Sequence, residues 1–284
     1  AETYQGPQPA SEPETQILQN FVLSLFADQR GEADIDAAPA NTTGLLITLH
    51  SYSELVLWPW GWTDTDAPNH IQLQTLGRRL AYFTDYTPQQ ANELYPTTGT
   101  SDDWAYGELG IAAYTFEMGT TFFQDCASFE STIYPDNLQA LMYAFKAARL
   151  PYQNPAGPRI IDLSITPTTV DPGTLVTLTA IADDNLYSTN NGREPTQVIK
   201  EARFSIDIPS WSTGALTYTI DATDGNLNST TESLVVVIDT TNLPAGPHII
   251  FVEAMDNDGN WGVPSAIILH VTGLIHTYIP LLVR

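Results

Sequence analysis

The sequence predicts a mixed α/β domain, with a parallel-rich sheet flanked by helices, followed by an all-β immunoglobulin-like sandwich. Over the first half, short apolar runs alternate with segments of helical spacing. That alternation is typical of a parallel-rich sheet covered on both faces. Over the second half, short β-branched segments are separated by turn residues, which is typical of a sandwich. The length of 284 residues also favours two domains over one.

The first half contains three segments with helical spacing and two short apolar runs. The apolar runs are long enough for buried strands and too short for helices. The last helical segment has Pro near its start and basic residues at its end, which are typical boundary signals. The predicted helices are 12–27, 70–83 and 135–149, and the predicted strands are 45–50 and 110–116. We expect this domain to span residues 1–152.

The second half follows a linker predicted at residues 153–158, in a stretch rich in Pro and Gly. Helical spacing is absent beyond it, and about seven short strands are expected. We place the sandwich at residues 159–273 and a short apolar tail at 274–284, which suits either a final strand or a surface-sorting signal. The clearest predicted strands are 175–181, 202–207, 216–220, 234–238, 248–252 and 266–271.

Two features of the predicted sandwich invite a functional interpretation. The oxygen-rich turn 256–262 lacks the glutamate that closes an EF-hand, so a β-hairpin is favoured over a calcium loop. Trp211 and Trp261 suit either a sugar-stacking platform or an ordinary buried position. Modules of this kind are found appended to secreted bacterial hydrolases, so attachment to a cell surface or a polymer is the role expected of it.

The composition excludes several classes of function. Ten Lys and Arg stand against 33 Asp and Glu, which gives a formal net charge of -23, and both halves are acidic. We therefore expect no nucleic-acid partner. No apolar run approaches the ~20 residues that a membrane span needs. The single cysteine, Cys126, excludes an intrachain disulfide framework. The chain begins with Ala and no signal segment, so we expect a processed product or a fragment.

Three polar residues of the first half are candidates for chemistry. His50 ends one apolar run and Glu117 directly follows the other, and ligands of open α/β sheets bind beyond the carboxyl ends of strands. Tyr95 lies in a loop rich in Gly, Pro and hydroxyl residues. Each also has an ordinary interpretation: a strand-end His bonded to a loop, a capping or salt-bridged Glu, and an exposed loop Tyr. Position alone does not separate these alternatives.

Several motifs in register resemble the second half of the catalytic domain of zinc carboxypeptidases of the carboxypeptidase A/B type. The resemblance is greatest to the bacterial carboxypeptidase T branch. Order and spacing agree over residues 1 to about 152, so the first domain is expected to have a partial zinc carboxypeptidase fold. The matching segments are ETYQGP at 2–7, TLHSYS at 48–53 with LWPWG at 57–61, LYPTTG at 94–99, DWAY at 103–106 and TFEM at 115–118.

The resemblance implies a role for each matching residue. His50 corresponds to the third zinc ligand, and Glu117 to the general base that takes a proton from zinc-bound water and passes it to the leaving amine. Tyr95 corresponds to the mobile tyrosine that closes over the substrate's terminal carboxylate. Tyr52 corresponds to a residue of the neighbouring subsite. The implied cofactor is one zinc ion, and the implied substrates are peptide or protein C-termini.

Asp102 falls where the family places a residue at the base of the pocket for the substrate's last side chain. An acid there predicts a preference for C-terminal Lys or Arg. The alternative is that Asp102 turns away and caps a helix that starts near Trp104. Leu57, Gly61 and Thr115 correspond to positions near the same pocket, which would also accept apolar residues, so a mixed specificity stays open.

The sequence departs from the family in one respect. None of the five histidines is followed three residues later by Glu, so the family's first two zinc ligands, and its substrate-binding arginines, have no counterpart here. A catalytic zinc takes three protein ligands. We therefore expect the downstream part of a longer secreted bacterial enzyme, inactive alone. The alternatives are a non-catalytic extracellular binding or adhesion protein that keeps a partial peptidase scaffold, and an unrelated extracellular hydrolase.

Overall fold

The computed structural model describes residues 6–273 of the chain, which divide into two compact units. The first unit runs to Ala156 and also contains Leu186–Pro195. The second unit comprises Gly157–Asn185 and the described residues from Thr196 onward. The loop Leu186–Pro195 therefore folds with the first unit, although its sequence lies inside the segment expected to be a sandwich.

Two segments singled out in the sequence lie outside the described residues. They are most of the first family-like motif, at residues 2–5, and the apolar tail at 274–284. Over the part of the chain that the structure describes, none of the helices combines the length and the apolar character that crossing a membrane requires.

The first unit is a mixed α/β structure, as predicted. Its four-stranded sheet has the order β1-β4-β2-β3. Strands β1 and β4 are parallel, as are β2 and β3, whereas β2 and β4 are antiparallel. The strands are β1 Leu45–His50, β2 Leu55–Trp58, β3 Thr87–Gln90 and β4 Ala112–Glu117. Strands β2 and β3 were not predicted, because each has only four residues and β3 is a polar segment that contains Pro.

The helices of the first unit match the three predicted segments and add two. The helices are α1 Pro13–Leu25, α2 His70–Thr84, α3 Ser101–Leu109, α4 Cys126–Ser128 and α5 Tyr134–Ala147. Helix α3 was not predicted, because its apolar residues are interrupted by acids and Gly107. It begins at Ser101, about one turn before Trp104, where the alternative interpretation of Asp102 as a capping residue placed a helix start.

The core of the first unit lies between the sheet and helix α2. Tyr114 and Phe116 of β4 are fully buried, and the Tyr114 hydroxyl donates to the Leu73 carbonyl at 2.8 Å. A β-carbon on Gly77 would lie 2.8 Å from the Trp58 ring. Only glycine therefore lets α2 approach β2 this closely. This contact fixes the helix over the strand that leads to the candidate site.

Helix α1 and strand β1 leave an apolar surface uncovered within the described residues. Ile17, Phe21 and Leu25 of α1 are 68%, 60% and 59% exposed, although helical spacing predicts that this face packs on a core. Strand β1 is at the edge of the sheet. An apolar groove runs between β1 and α5, where Phe145 is 78% exposed. The amphipathic pattern predicted the helix correctly but not its burial.

Two adjacent buried arginines on α2 donate hydrogen bonds to residues of the loop Leu186–Pro195. Arg78 pairs with Glu194 at 2.8 Å, and both side chains are less than a tenth exposed. Arg79 is fully buried; it donates to the Leu186 carbonyl at 3.0 Å and its guanidinium lies 3.5 Å from the ring centre of Tyr187. Buried cations need such partners. The first unit is therefore not complete without this loop.

The second unit has two sheets around one hydrophobic core. One sheet has the order β10-β11-β7-β5 and the other β6-β13-β12-β8-β9. Leu178 and Leu234 of the first sheet share a core cluster with Ile250 and Leu269 of the second. The strands are β5 Arg159–Thr166, β6 Thr169–Val170, β7 Leu175–Asp183, β8 Ile199–Ile206, β9 Thr217–Thr219, β10 Asp221–Ala222, β11 Thr231–Asp239, β12 Gly246–Asp256 and β13 Ser265–Val271.

The six clearest predicted strands are all present, and β5, β6 and β10 are additional. The turn after Asp256 joins β12 to β13 as a hairpin, and the Asp256 carboxylate accepts from the Asn260 amide at 2.8 Å. Trp211 is 41% exposed and lies edge-on against Phe251. Trp261 stacks on the guanidinium of Arg203.

We predict that Glu194→Ala destabilises the first unit by about 3–5 kcal/mol, because it leaves the buried Arg78 cation without its carboxylate. The measurement is urea unfolding of the 284-residue chain, with hydrogen exchange of α2 to assign the transition. Glu32→Ala, at an exposed loop position of the same unit, is the control and should change the unfolding free energy by less than ~0.5 kcal/mol. Equal effects of the two substitutions would contradict the structural role of the loop.

Candidate active site

His50 and Glu117 end two neighbouring parallel strands. They are register partners at the carboxyl ends of β1 and β4. The His50 Nδ1 and Glu117 Oε1 atoms are 4.0 Å apart, with the imidazole 55% exposed and the carboxylate 13% exposed. The amide of Met118 donates to the His50 carbonyl at 2.9 Å, which continues the pairing one residue further. The sheet therefore holds an accessible imidazole beside a mostly buried carboxylate.

The environment of Glu117 raises the pKa of its carboxyl above the ordinary value. Burial is the main cause, and the neighbouring His50 opposes it by lowering the pKa. A carboxyl group with a raised pKa holds a proton more readily near neutral pH than an exposed one does. Glu117 can thus accept and return a proton in the range where a general base works.

A cavity of about 350 Å³ adjoins this pair. His50 and Glu117 lie on its wall, together with four of the residues to which the resemblance assigns substrate binding: Tyr95, Leu57, Asp102 and Thr115. Tyr52 and Gly61 are not among the lining residues. Tyr52 is 47% exposed beside the site, and Gly61 is buried behind the cavity wall. The remaining lining residues are Ala91, Leu94, Thr97, Gly99, Thr100 and Ser101.

Asp102 lines the cavity and is buried, with 2% of the residue exposed. The Thr115 hydroxyl donates to its Oδ2 atom at 3.2 Å, and the Thr48 hydroxyl lies 2.8 Å from that of Thr115. The cap of α3 is Thr100, whose hydroxyl accepts from the Asp103 amide. Asp102 is therefore not the capping residue, and the donors recorded for its carboxylate are uncharged: the Thr115 hydroxyl and the Asp103 amide.

Asp103 is a buried acid to which the sequence analysis gave no role. Its Oδ1 and Oδ2 atoms accept from the Gly61 amide at 2.9 and 3.0 Å. Burial, with a contribution from the like charge of Asp102, raises the pKa of Asp103 to about 7 against the lowering effect of its hydrogen bonds. Two consecutive acids at a helix start were the available signal in the sequence, but they suit an exposed first turn equally well.

Tyr95 belongs to a loop between β3 and α3 and is 61% exposed. The Leu94 amide donates to the Ala91 carbonyl at 3.2 Å, and the Thr97 amide donates to the Gly61 carbonyl at 2.9 Å. The backbone on both sides of Tyr95 is thus held by hydrogen bonds, whereas its side chain is largely exposed on the cavity wall.

The donor atoms around His50 do not by themselves complete a zinc site. Among residues 6–273, no group of three or more His, Cys, Asp or Glu side chains is placed to hold a metal ion. A catalytic zinc takes three protein ligands and keeps one position open. His50 supplies one imidazole nitrogen, and further ligands would have to come from elsewhere.

Comparison with protein families gives a match for residues 1–141 to the zinc carboxypeptidase family. The matched range contains both members of the His50–Glu117 pair and the whole cavity wall. The first half of the chain belongs to the zinc carboxypeptidase family.

Two zinc carboxypeptidases illustrate the extent of the likeness. One, from Saccharothrix mutabilis subsp. capreolus, is 45% identical over 78 residues, which are 25% of this chain and 18% of that protein. The other, from Simulium vittatum, is 38% identical over 125 residues, which are 41% of this chain and 36% of that protein. The chain therefore spans about a third or less of the length of these curated relatives.

A crystal structure of thrombin activatable fibrinolysis inhibitor matches with 24% identity and a TM-score of 0.40, covering 52% of this chain and 35% of that one. At that TM-score the likeness supports no conclusion about this chain. The assignment to the zinc carboxypeptidase family rests on the sequence match.

Proposed function

We propose that this chain is the C-terminal part of a zinc-dependent metallocarboxypeptidase that hydrolyses C-terminal residues from peptides. The observation that carries the proposal is the pairing of His50 with Glu117, 4.0 Å apart at the ends of two parallel strands and on the wall of one cavity.

Glu117 is proposed as the general base. Its carboxylate is mostly buried and faces the cavity, so it can take a proton from a water molecule held beside His50 and return it to the leaving amine. Zinc, when bound, lowers the pKa of the water that it holds. The chain's own contribution is the orientation of His50 and the raised proton affinity of Glu117.

The remaining cavity residues are proposed to bind the end of the substrate. Tyr95 reaches over the mouth of the cavity and would close on the terminal carboxylate. Asp102 is buried at its far side, with neutral hydrogen-bond donors, so its charge is available to a C-terminal Lys or Arg. Leu57 and Thr115 leave room for an apolar side chain as well.

The missing zinc ligands are proposed to come from polypeptide upstream of this sequence. Strand β1 lies at the edge of its sheet, an apolar groove separates it from α5, and apolar residues of α1 are also exposed. Edge strands and large apolar faces of this kind are normally covered. An upstream part of the domain would cover them and bring the other ligands to His50. The chain alone is expected to be inactive.

The second unit is proposed as an immunoglobulin-like accessory domain at about residues 159–273, which attaches the enzyme to a cell surface or a polymer. Its two sheets with a shared core suit that assignment. Together with the acidic composition, such a domain favours a secreted bacterial protein.

Zinc binding tests the proposal that this chain supplies one zinc ligand, His50, and that upstream polypeptide supplies the others. We expect the 284-residue chain to bind Zn²⁺ no more tightly than its His50→Ala variant, because a single imidazole does not supply the three protein ligands that a catalytic zinc takes. A product extended upstream should bind one zinc and should lose it on the same substitution. Calorimetric titration measures both. If the extended product also fails to bind zinc, the non-catalytic binding protein becomes the better interpretation.

In the extended, active product, Glu117→Gln should lower kcat by about 10²–10⁴-fold, because it removes a positioned base. Bound zinc should remain at one equivalent by elemental analysis. Glu130→Gln, at an exposed position of the same unit, is the control and should leave turnover unchanged. Retention of wild-type turnover by Glu117→Gln would overturn the assignment of the base.

Substrate preference tests Asp102. Asp102→Asn keeps an oxygen for the Thr115 hydroxyl and removes the charge, so kcat/KM for peptides ending in Lys or Arg should fall about ten- to hundredfold. Peptides ending in Leu should be cleaved at an unchanged or higher rate. A fall of equal size for both classes of peptide would remove Asp102 from the specificity pocket.

A further inference from the structure

We propose that Asp103 is a positioning residue that fixes the Tyr95 loop (residues 94–100) by way of Gly61. The proposal goes beyond the assignment of Tyr95 and rests on the proposed function, since Tyr95 binds substrate only in that proposal. Asp103 itself is not among the residues that line the cavity.

Hydrogen bonds on both sides of one residue form the connection. Both carboxylate oxygens of Asp103 accept from the Gly61 amide, at 2.9 and 3.0 Å. The carbonyl of the same Gly61 accepts from the Thr97 amide at 2.9 Å. Thr97 lies two residues after Tyr95, and both line the cavity. The start of α3, the segment after β2 and the Tyr95 loop are thus joined through one residue, Gly61, whose amide and carbonyl belong to adjacent peptide units.

Little free space surrounds the α-carbon of Gly61. A β-carbon on Gly61 would lie 3.2 Å from the Thr97 methyl group, 3.3 Å from Asp103 Oδ2 and 3.5 Å from the Ala91 β-carbon. Gly61 is buried, and Asp103 is 9% exposed. Because Gly61 is buried and its carbonyl accepts from the Thr97 amide, a displacement of Gly61 would act directly on Thr97.

The electrostatic surroundings of Asp103 give the connection a measurable signature. On its own helix it faces the carboxylate of Asp102. From the other two segments it faces uncharged groups: the amides of Gly61 and Trp62, and the Thr100 hydroxyl. Burial raises its pKa to about 7, so the acceptor of the Gly61 amide changes charge near neutral pH. The resonance of that amide should follow this change.

Two variants of the 284-residue chain test the connection by NMR. Asp103→Ala should speed hydrogen exchange of both the Gly61 and Thr97 amides about tenfold or more, because it deletes a charge-assisted acceptor. Asp103→Asn keeps a carbonyl oxygen in place, so exchange should stay near the wild-type rate. In this isosteric variant, the chemical shift of the Gly61 amide should no longer change as the pH passes through about 7. Glu108→Gln, exposed on the same helix, should leave both readings unchanged.

Both NMR measurements, the hydrogen exchange and the pH titration, can overturn the proposal. Faster exchange at Gly61 with unchanged exchange at Thr97 would show that the connection stops before the loop. A step near pH 7 that persists in Asp103→Asn would show that Asp103 is not the titrating acceptor. If Asp103→Ala fails to fold, the Asp103→Asn titration still decides whether this contact exists.

Kinetics of the extended product separate this inference from the proposed function. If Tyr95 closes on the substrate, Asp103→Ala should raise KM severalfold with little change in kcat, and Asp103→Asn should restore KM. A parallel fall in kcat would instead indicate general damage to the site and would count against positioning. Should the extended product have no peptidase activity at all, the proposed function fails while the NMR results on the loop stand.

Discussion

The parallel pairing of β1 with β4 is the constraint on which the candidate site depends. It places His50 directly opposite Glu117 at the same end of the sheet. A slip of one residue in this pairing would turn one of the two side chains to the opposite face of the sheet. The buried residues of β4, which pack beneath α2, hold this register. The chemistry of the pair is therefore a consequence of core packing several residues away.

The cavity beside that pair is built from three separate segments, each fixed by a polar contact to its neighbour. Thr48 and Thr115 tie the sheet to Asp102, and Gly61 ties Asp103 to the Tyr95 loop. Buried acids are costly unless they receive hydrogen bonds. Here the same hydrogen bonds that make Asp102 and Asp103 tolerable also position the cavity wall, so stability and site geometry depend on shared atoms.

The division of the chain is less simple than its sequence suggests. A loop from within the second half completes the first unit, because Arg78 and Arg79 bury their charges against Glu194 and against the Leu186 carbonyl and Tyr187. At the same time, the edge of β1 and the exposed face of α1 leave the first unit open on one side. The unit is thus closed by downstream residues and, in our proposal, by upstream ones.

The sequence by itself determined the α/β character of the first half, six of the nine strands of the second and the residue types of the candidate site. Those features depend on local periodicity and on motifs at fixed spacing. It did not reveal β3, whose polar residues form a strand only because β2 lies beside them. Nor did it give Asp103 a role, or separate Tyr52 and Gly61 from the residues that line the cavity. Burial and hydrogen-bond partners depend on segments distant in the chain, such as Gly61 and Asp103, and only the tertiary structure brings these together.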